Sequence, residues 1–153
     1  MTEVRIRVAT PDDIPVLLGF QQGVVEAERP FDPTLRPGPL EYYDLPELVA
    51  SPQVCLLIAT VGAEVVGSGY ARITAAKPYL QHETYAYLGF MYVVPAYRGR
   101  GINQQLLASL RAWARAAGVP EMRLEVYARN AVALGAYEKF GFVPHMLEMR
   151  VPM

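Results

Sequence analysis

The chain has 153 residues, of which 52% are apolar, so it is not an intrinsically disordered chain and fits one domain over residues 1–153. Its formal net charge of −1 does not favour a general nucleic-acid binder or membrane-surface binder, in which basic residues are in excess. Cys55 is the only cysteine and no apolar run approaches transmembrane length, so we expect a cytoplasmic protein without an internal disulfide or a metal site.

Taken in chain order, the first elements are a strand and a helix. Apolar and basic residues alternate over residues 4–8, which is typical of a strand with one exposed face. Thr10 and the proline and acids after it predict a helix start, and the helix continues to Val25. Four prolines in residues 26–39 then predict a surface loop.

The rest of the chain alternates between strand and helix patterns. An apolar stripe of Ile102, Leu106, Leu110 and Trp113 predicts a helix that ends at Gly118. The other predicted elements are a short helix (41–50), a hairpin (54–60 and 64–74), a long strand (84–94), a strand (123–127), a helix (131–140) and a final strand or pair of strands (142–151).

The predicted order is therefore β-α-α-β-β-β-α-β-α-β, an α/β (α+β) fold. Consecutive strands in the middle of the chain imply antiparallel pairing, whereas the helix after the long strand allows one parallel neighbour. We expect a mixed, mostly antiparallel central sheet with helices on both faces.

The stretch from Tyr92 to Gln104 is the most informative part of the sequence. A β-branched run ends at a proline, two arginines alternate with Gly99 and Gly101, and an amphipathic helix begins. Such a loop exposes backbone N–H groups at a helix N-terminus, which predicts a site for phosphate or pyrophosphate. A Walker-type loop is excluded because no Lys-Ser/Thr pair follows. A dinucleotide fingerprint is disfavoured because Gln104 stands where its third glycine belongs.

Two motifs in this half of the chain resemble the GNAT superfamily of acetyl-CoA-dependent N-acyltransferases. Arg98-Gly99-Arg100-Gly101-Ile102-Asn103 is similar to the family signature Gln/Arg-x-x-Gly-x-Gly/Ala, with Asn103 as the one departure. Residues 130–142 are similar to the family segment Asn-x-x-Ala-x-x-x-Tyr-x-x-x-Gly-Phe. The element order also agrees with the family. The resemblance implies a GNAT-type fold and acetyl-CoA as co-substrate, without a metal.

The resemblance also implies a set of site residues. Asn130 would bind the pantetheine arm, although it is equally a helix N-cap. Tyr137 would protonate the departing thiolate, although it is also a plausible half-buried core residue. The residues implied to bind coenzyme A are Met91, Tyr92, Val93, Arg98, Gly99, Arg100, Gly101, Ile102, Asn103, Gln104 and Asn130.

The general base and the acceptor are less defined by the sequence. Many family members carry a glutamate on the strand before the loop, but residues 87–90 contain no carboxylate. Glu83 is taken as the base, with Glu26, Glu28 and water relayed by Tyr85 or Tyr87 as alternatives. The candidate acceptor residues are Glu26, Glu28, Tyr42, Tyr85 and Tyr87.

We expect direct attack by a small-molecule amine on the thioester in a ternary complex. No nucleic-acid or membrane partner is expected. A homodimer is possible by analogy with the family, through the C-terminal strands or the first helices. A non-catalytic domain that binds acyl-CoA as a sensor or scaffold is the alternative; Asn103 and the missing strand carboxylate favour it, whereas Tyr137 counts against it.

Overall fold

The structure, a computed structural model, describes residues 3–153. Within that range five strands form one sheet in the order β1-β2-β3-β4-β5. The strands are β1 (Val4–Val8), β2 (Val54–Val61), β3 (Glu64–Ala75), β4 (Thr84–Val93) and β5 (Met122–Arg123); the helices are α1 (Ile14–Glu28), α2 (Leu45–Ala50), α3 (Ile102–Ala116) and α4 (Ala131–Phe140). Pairing is antiparallel from β1 to β4 and parallel between β4 and β5. The predicted mixed, mostly antiparallel sheet is confirmed.

Helices cover both faces of the sheet, as predicted. Consecutive residues of β2 point to opposite faces, so Leu57 joins a core with α3 whereas Leu56 and Ile58 join a core with α1 and α2. This is why β2 is a nearly continuous apolar run rather than an alternating one. Cys55 lies on the α3 face, where burial raises the pKa of its thiol to about 11. The thiol is therefore protonated near neutral pH.

Helix α3 follows the apolar stripe seen in the sequence. Ile102, Leu106 and Leu110 are each at most 2% exposed and pack on the sheet. The helix ends at Ala116, and Gly118 follows with φ +79°, a left-handed conformation that glycine adopts without a steric cost. The predicted helix is confirmed.

Helix α1 is longer than predicted. It continues to Glu28, so Glu26 and Glu28 lie on the helix and not in the loop assigned to them. Residues 26–28 are Glu-Ala-Glu, which favour helix, and Pro30 is the first residue that opposes its continuation. The second helix begins at Leu45, four residues later than expected.

Gln21 and Gln22 of α1 hold the segment that precedes α2 against α1. The buried Gln21 accepts hydrogen bonds at 2.8 Å from the backbone N–H groups of Tyr42 and Tyr43. Gln22 donates to the carbonyl oxygen of Leu40 at 2.7 Å and accepts from its N–H at 3.1 Å. These bonds place two tyrosines beside α1 in a stretch that has no regular secondary structure.

The prediction of a final strand at residues 142–151 is wrong. The strand predicted at residues 123–127 is shorter than expected. β5 comprises only Met122–Arg123, and no residue from 124 to 153 lies in a strand. Pro144 also lacks the N–H that a sheet ladder requires. The apolar residues of this C-terminal segment are exposed: Val143, Met146, Leu147, Met149, Val151 and Met153.

Candidate functional site

Strand β4 contains a bulge where it faces β3. The pairing passes from Tyr70 with Gly89 to Ser68 with Tyr92, so two residues of β4 lie opposite one residue of β3. Phe90, at the bulge, has φ +57°, which is uncommon for a residue with a side chain. The buried hydroxyl of Ser68 donates a hydrogen bond to the carbonyl oxygen of Phe90 at 2.9 Å. The bulge is thus held in place by the neighbouring strand.

The edge of β4 beside this bulge carries no strand. β5 pairs only with Ala86 and Tyr87, so residues 88–93 have no strand partner on that side among residues 3–153. The segment with the bulge, including the predicted cofactor residues Met91, Tyr92 and Val93, is therefore open along one edge. An extended chain with amide groups can pair with such an edge.

The loop after β4 exposes the N-terminus of α3. Gly99 and Gly101 have φ of +77° and +79°, and α3 begins directly after Gly101 without a side-chain cap. The N–H groups of residues 101–104 cannot find partners inside the helix. Among the described residues no side chain caps them, so they are free to donate hydrogen bonds at the positive end of the helix, as anion binding requires.

The two arginines of the loop are folded back onto the protein. Arg98 donates from Nε to the carbonyl oxygen of Val93 at 2.9 Å and lies 5.6 Å from the Tyr92 ring centroid. The guanidinium of Arg100 lies 4.8 Å from the centroid of Tyr97. Both guanidinium groups therefore lie on residues of β4 and of the loop that precedes α3.

Helix α4 is tied to the first turn of α3. Gln104 donates from Nε2 to the carbonyl oxygen of Ala136 at 3.0 Å. At the start of α4, Asn130 accepts a hydrogen bond from the N–H of Ala133 at 3.1 Å, which confirms its N-cap role and leaves its amide NH₂ available. These contacts place the residue after Ala136, Tyr137, close to the loop.

Tyr137 is half-buried, and its hydroxyl makes no hydrogen bond with other residues of the described range 3–153. Its ring packs edge-to-face on Phe142 with centroids 5.9 Å apart. Burial, followed by the negative charge of Glu28, raises the pKa of Tyr137 to about 12. The phenol is therefore a hydrogen-bond donor at neutral pH.

The two glutamates of α1 that are candidate acceptor residues differ in their surroundings. Glu26 is paired with Arg29 at 2.8 Å and its side chain is 67% exposed. Glu28 is half-buried, and burial raises its pKa. Burial together with the charge of Glu28 also raises the pKa of Tyr42. The structure thus brings Glu28 and Tyr42 together and leaves Glu26 on the surface.

Other predicted residues lie on β4 or just before it. Glu83 is exposed and immediately precedes β4, seven residues before Phe90 and therefore about 23 Å from it along the chain. Tyr85 lies under the guanidinium of Arg123, 4.2 Å from its ring centroid. Tyr87 donates to Glu125 at 2.8 Å. The structure does not bring Glu83 or Tyr85 to the bulge.

Two tyrosines that are not among the candidate site residues of the sequence, Tyr43 and Tyr127, also contact this region. Tyr43 packs on Phe90 with centroids 4.5 Å apart. Tyr127 stacks on Phe31 at 6.1 Å and donates to Asp32 at 3.3 Å. Tyr127 and Asp32 are 95 residues apart, and no local pattern marks such a pair.

No helix in the described part of the chain is long and apolar enough to cross a membrane. Across residues 3–153, no group of three or more His, Cys, Asp or Glu side chains is placed so that it could hold a metal ion.

Comparison with known proteins extends over most of the chain. Residues 22–142 match the model of the family described as acetyltransferase (GNAT). Solved structures share the fold at low identity. A mutant BH1408 protein from Bacillus halodurans has a TM-score of 0.88 at 21% identity, covering 97% of this chain and 99% of that one.

Two similar structures contain ligands. A predicted acetyltransferase from Clostridium acetobutylicum with acetyl-CoA has a TM-score of 0.76 at 19% identity, covering 97% of this chain and 96% of that one. The enzyme AAC(6')-Iy in complex with the bisubstrate analogue CoA-S-monomethyl-acetylneamine has a TM-score of 0.73 at 19% identity, covering 99% of this chain and 100% of that one.

Proposed function

Because this chain belongs to the acetyltransferase (GNAT) family, we propose that residues 1–153 form one N-acetyltransferase domain. It transfers the acetyl group of acetyl-CoA to a primary amine of a small-molecule acceptor. The transfer occurs by direct attack in a ternary complex. The structural neighbour that binds CoA-S-monomethyl-acetylneamine supports a small amine as acceptor.

The observation that carries the proposal is the open edge of β4 next to the uncapped N-terminus of α3. The pyrophosphate of coenzyme A binds the N–H groups of residues 99–104, with Arg98 and Arg100 adding positive charge. The pantetheine arm, which contains amides, pairs with residues 91–93 and with the amide of Asn130. The thioester then lies at the bulge.

The chemistry at the bulge follows from this placement. The neutral amine attacks the thioester carbonyl carbon, and backbone N–H groups around Met91 and Tyr92 stabilise the developing oxyanion. As the C–S bond breaks, the hydroxyl of Tyr137 donates its proton to the leaving thiolate, and the phenolate regains a proton from the acetylated nitrogen, which leaves a neutral amide and a free thiol. Cys55 takes no part, because it is buried in the core with a raised pKa.

Release of free thiol from acetyl-CoA tests this function. Purified protein is incubated with acetyl-CoA and a panel of primary amines that includes neamine, spermidine and a lysine-containing peptide. We expect thiol release that depends on at least one amine, with the N-acetylated product identified by mass spectrometry. Thermal stabilisation by coenzyme A without turnover on any amine would instead support a non-catalytic acyl-CoA-binding domain.

We also propose that two copies pair through the C-terminal segment, residues 143–153. Leu147, Met149 and Val151 alternate along this segment and are at least 78% exposed. Residues 124–127, which follow the short β5, have no strand partner in the described range. Each copy carries both parts, the exposed apolar segment and the open edge. The segment of one copy therefore pairs with the edge of the other under two-fold symmetry.

The solution mass tests this pairing. Light scattering during gel filtration is expected to give about twice the chain mass of 17.0 kDa. The double variant Leu147→Asp, Met149→Asp is expected to be monomeric, because charge opposes burial of the segment. Val132→Asp is the control, since Val132 is 86% exposed on α4. A monomeric wild-type protein at micromolar concentration would refute the proposal.

A further inference from the structure

Helix α4, which carries Tyr137, is held only weakly by its own sequence. Among residues 131–140 no side chain is fully buried, whereas α3 has five buried side chains. Gly135 also lies in the interior of α4, where a glycine costs about 1 kcal/mol of helix stability relative to alanine. A helix with little core packing and a low propensity depends on contacts from its neighbours for its position.

Two side chains of α3 supply such contacts. Gln104 donates from Nε2 to the carbonyl oxygen of Ala136 at 3.0 Å. About two turns further along α3, the guanidinium of Arg111 lies 4.4 Å from the ring centroid of Phe140. Within residues 3–153, the bond from Gln104 is the only hydrogen bond that joins α4 to another helix or to a strand. The two contacts lie on either side of Tyr137 in the sequence.

Gln104 also belongs to the N-terminus of α3, where anion binding is proposed. It is the third residue of the helix, so its backbone N–H has no partner inside the helix. The N–H of the next residue, Gln105, already donates to the carbonyl oxygen of Gly101 at 3.1 Å. The main chain of Gln104 is therefore available to a phosphate, while its side chain contacts α4.

The bond to Ala136 restrains the position of the phenol. A carbonyl oxygen only accepts hydrogen bonds, so the amide of Gln104 must present its NH₂ group to it. Ala136 directly precedes Tyr137, and a tether at this point opposes both rotation and sliding of α4. The tyrosine hydroxyl lies at the end of a long side chain, so a small rotation of the helix moves it appreciably. A misplacement of about 1 Å in a reacting group can lower a rate about 100-fold.

We infer that Gln104 is a positioning residue for Tyr137 and that it couples the placement of Tyr137 to the binding of coenzyme A. This rests on the acetyl transfer proposed above, in which Tyr137 is the proton donor. The pyrophosphate binds the backbone N–H of Gln104 and holds the first turn of α3. The side-chain amide of the same residue then holds α4 at Ala136, which fixes the phenol beside the sulfur.

The variant Gln104→Met tests the positioning role. Methionine removes the donor and keeps the backbone N–H, a similar side-chain length and a high helix propensity. We expect kcat for the active amine to fall about tenfold, whereas the KM for acetyl-CoA stays within about twofold because the N–H groups remain.

Gln105→Met is the matched control, because it makes the same substitution at the next residue of the helix, which is exposed. It should keep kcat within about twofold. If kcat of Gln104→Met equals that of Gln105→Met, Gln104 does not position the donor. An increase confined to the KM for acetyl-CoA would show that Gln104 serves the cofactor alone.

A double variant with Tyr137→Phe shows whether the effect of Gln104 passes through the phenol. Once the hydroxyl is absent, replacement of Gln104 by Met should cost less than about twofold in kcat, because there is no donor left to misplace. A tenfold loss that persists in the Tyr137→Phe background would overturn the inference, since Gln104 would then act on another group or on the fold.

Hydrogen exchange measures the coupling without turnover. In the wild-type protein, saturating coenzyme A should slow exchange of the backbone amides of residues 134–140. In Gln104→Met, saturated with coenzyme A as judged by thermal shift, we expect less than about half of that slowing. Equal slowing in the two proteins would contradict the coupling. Inactivity of the wild-type protein on every amine would instead contradict the proposed acetyl transfer, and the exchange result would then decide the link between cofactor and α4 by itself.

Discussion

Replacement of Tyr137 by Phe is expected to lower kcat for acetyl transfer by about 100- to 1,000-fold. In the proposed mechanism, negative charge develops on the sulfur of coenzyme A as it leaves the acetyl group, and the phenol donates a hydrogen bond to that sulfur only in the transition state. The hydroxyl has no partner among the described residues, so its removal breaks no bond that holds the fold. The ring, which packs on Phe142, is retained.

The measurements that separate catalysis from binding are kcat and the KM for acetyl-CoA in the thiol-release assay. We expect KM to stay within about twofold, because a contact made in the transition state alone contributes little to ground-state affinity. Tyr79→Phe serves as the control, since Tyr79 is 81% exposed and outside the site. If kcat of Tyr137→Phe equals that of the control, Tyr137 is not the donor.

Substitution of Gly101 by Ala is expected to raise the KM for acetyl-CoA about 10- to 100-fold, with a smaller change in kcat. Gly101 has φ +79° and immediately precedes α3. Alanine disfavours this left-handed conformation by about 1 kcal/mol, so the loop relaxes and its N–H groups no longer converge on the pyrophosphate.

Gly118 offers a matched control for this strain. It also has φ +79° and follows the C-terminus of the same helix. No heavy atom lies within 4 Å of the position that its Cβ would take. Gly118→Ala should therefore lower stability by a similar amount, about 1 kcal/mol, and leave KM unchanged. An equal KM in the two variants would show that the loop does not bind the cofactor.

The parts of the site that are local in sequence could be predicted before the structure. The glycines that precede α3 and the apolar stripe of that helix are short-range patterns with short-range causes: backbone freedom and helical periodicity. Asn130 as an N-cap is of the same kind, and the structure shows its bond to Ala133. The antiparallel pairing of β2, β3 and β4 and the parallel pairing of β4 with β5 followed from the connections between these strands.

The parts that depend on distant contacts could not be predicted. The bulge at Phe90 arises from the register between β3 and β4, and strand periodicity within β4 alone does not reveal it. Glu28 was assigned to a loop because prolines follow it, whereas the helix continues until Pro30. The predicted final strand is an apolar segment with a strand-like sequence pattern that pairs with no strand among residues 3–153.

Gln21 and Gln22 of α1 fix residues 40–43 by hydrogen bonds, so the positions of Tyr42 and Tyr43 do not depend on the loop that precedes them. Residues 32–39 lie between the end of α1 and that anchored segment, so insertions or exchanges there leave Tyr42 and Tyr43 in place. Acceptor preference can therefore diverge among descendants of this protein without loss of catalytic geometry. For a directed-evolution library, this stretch is the place to randomise, with Gln21 and Gln22 kept constant.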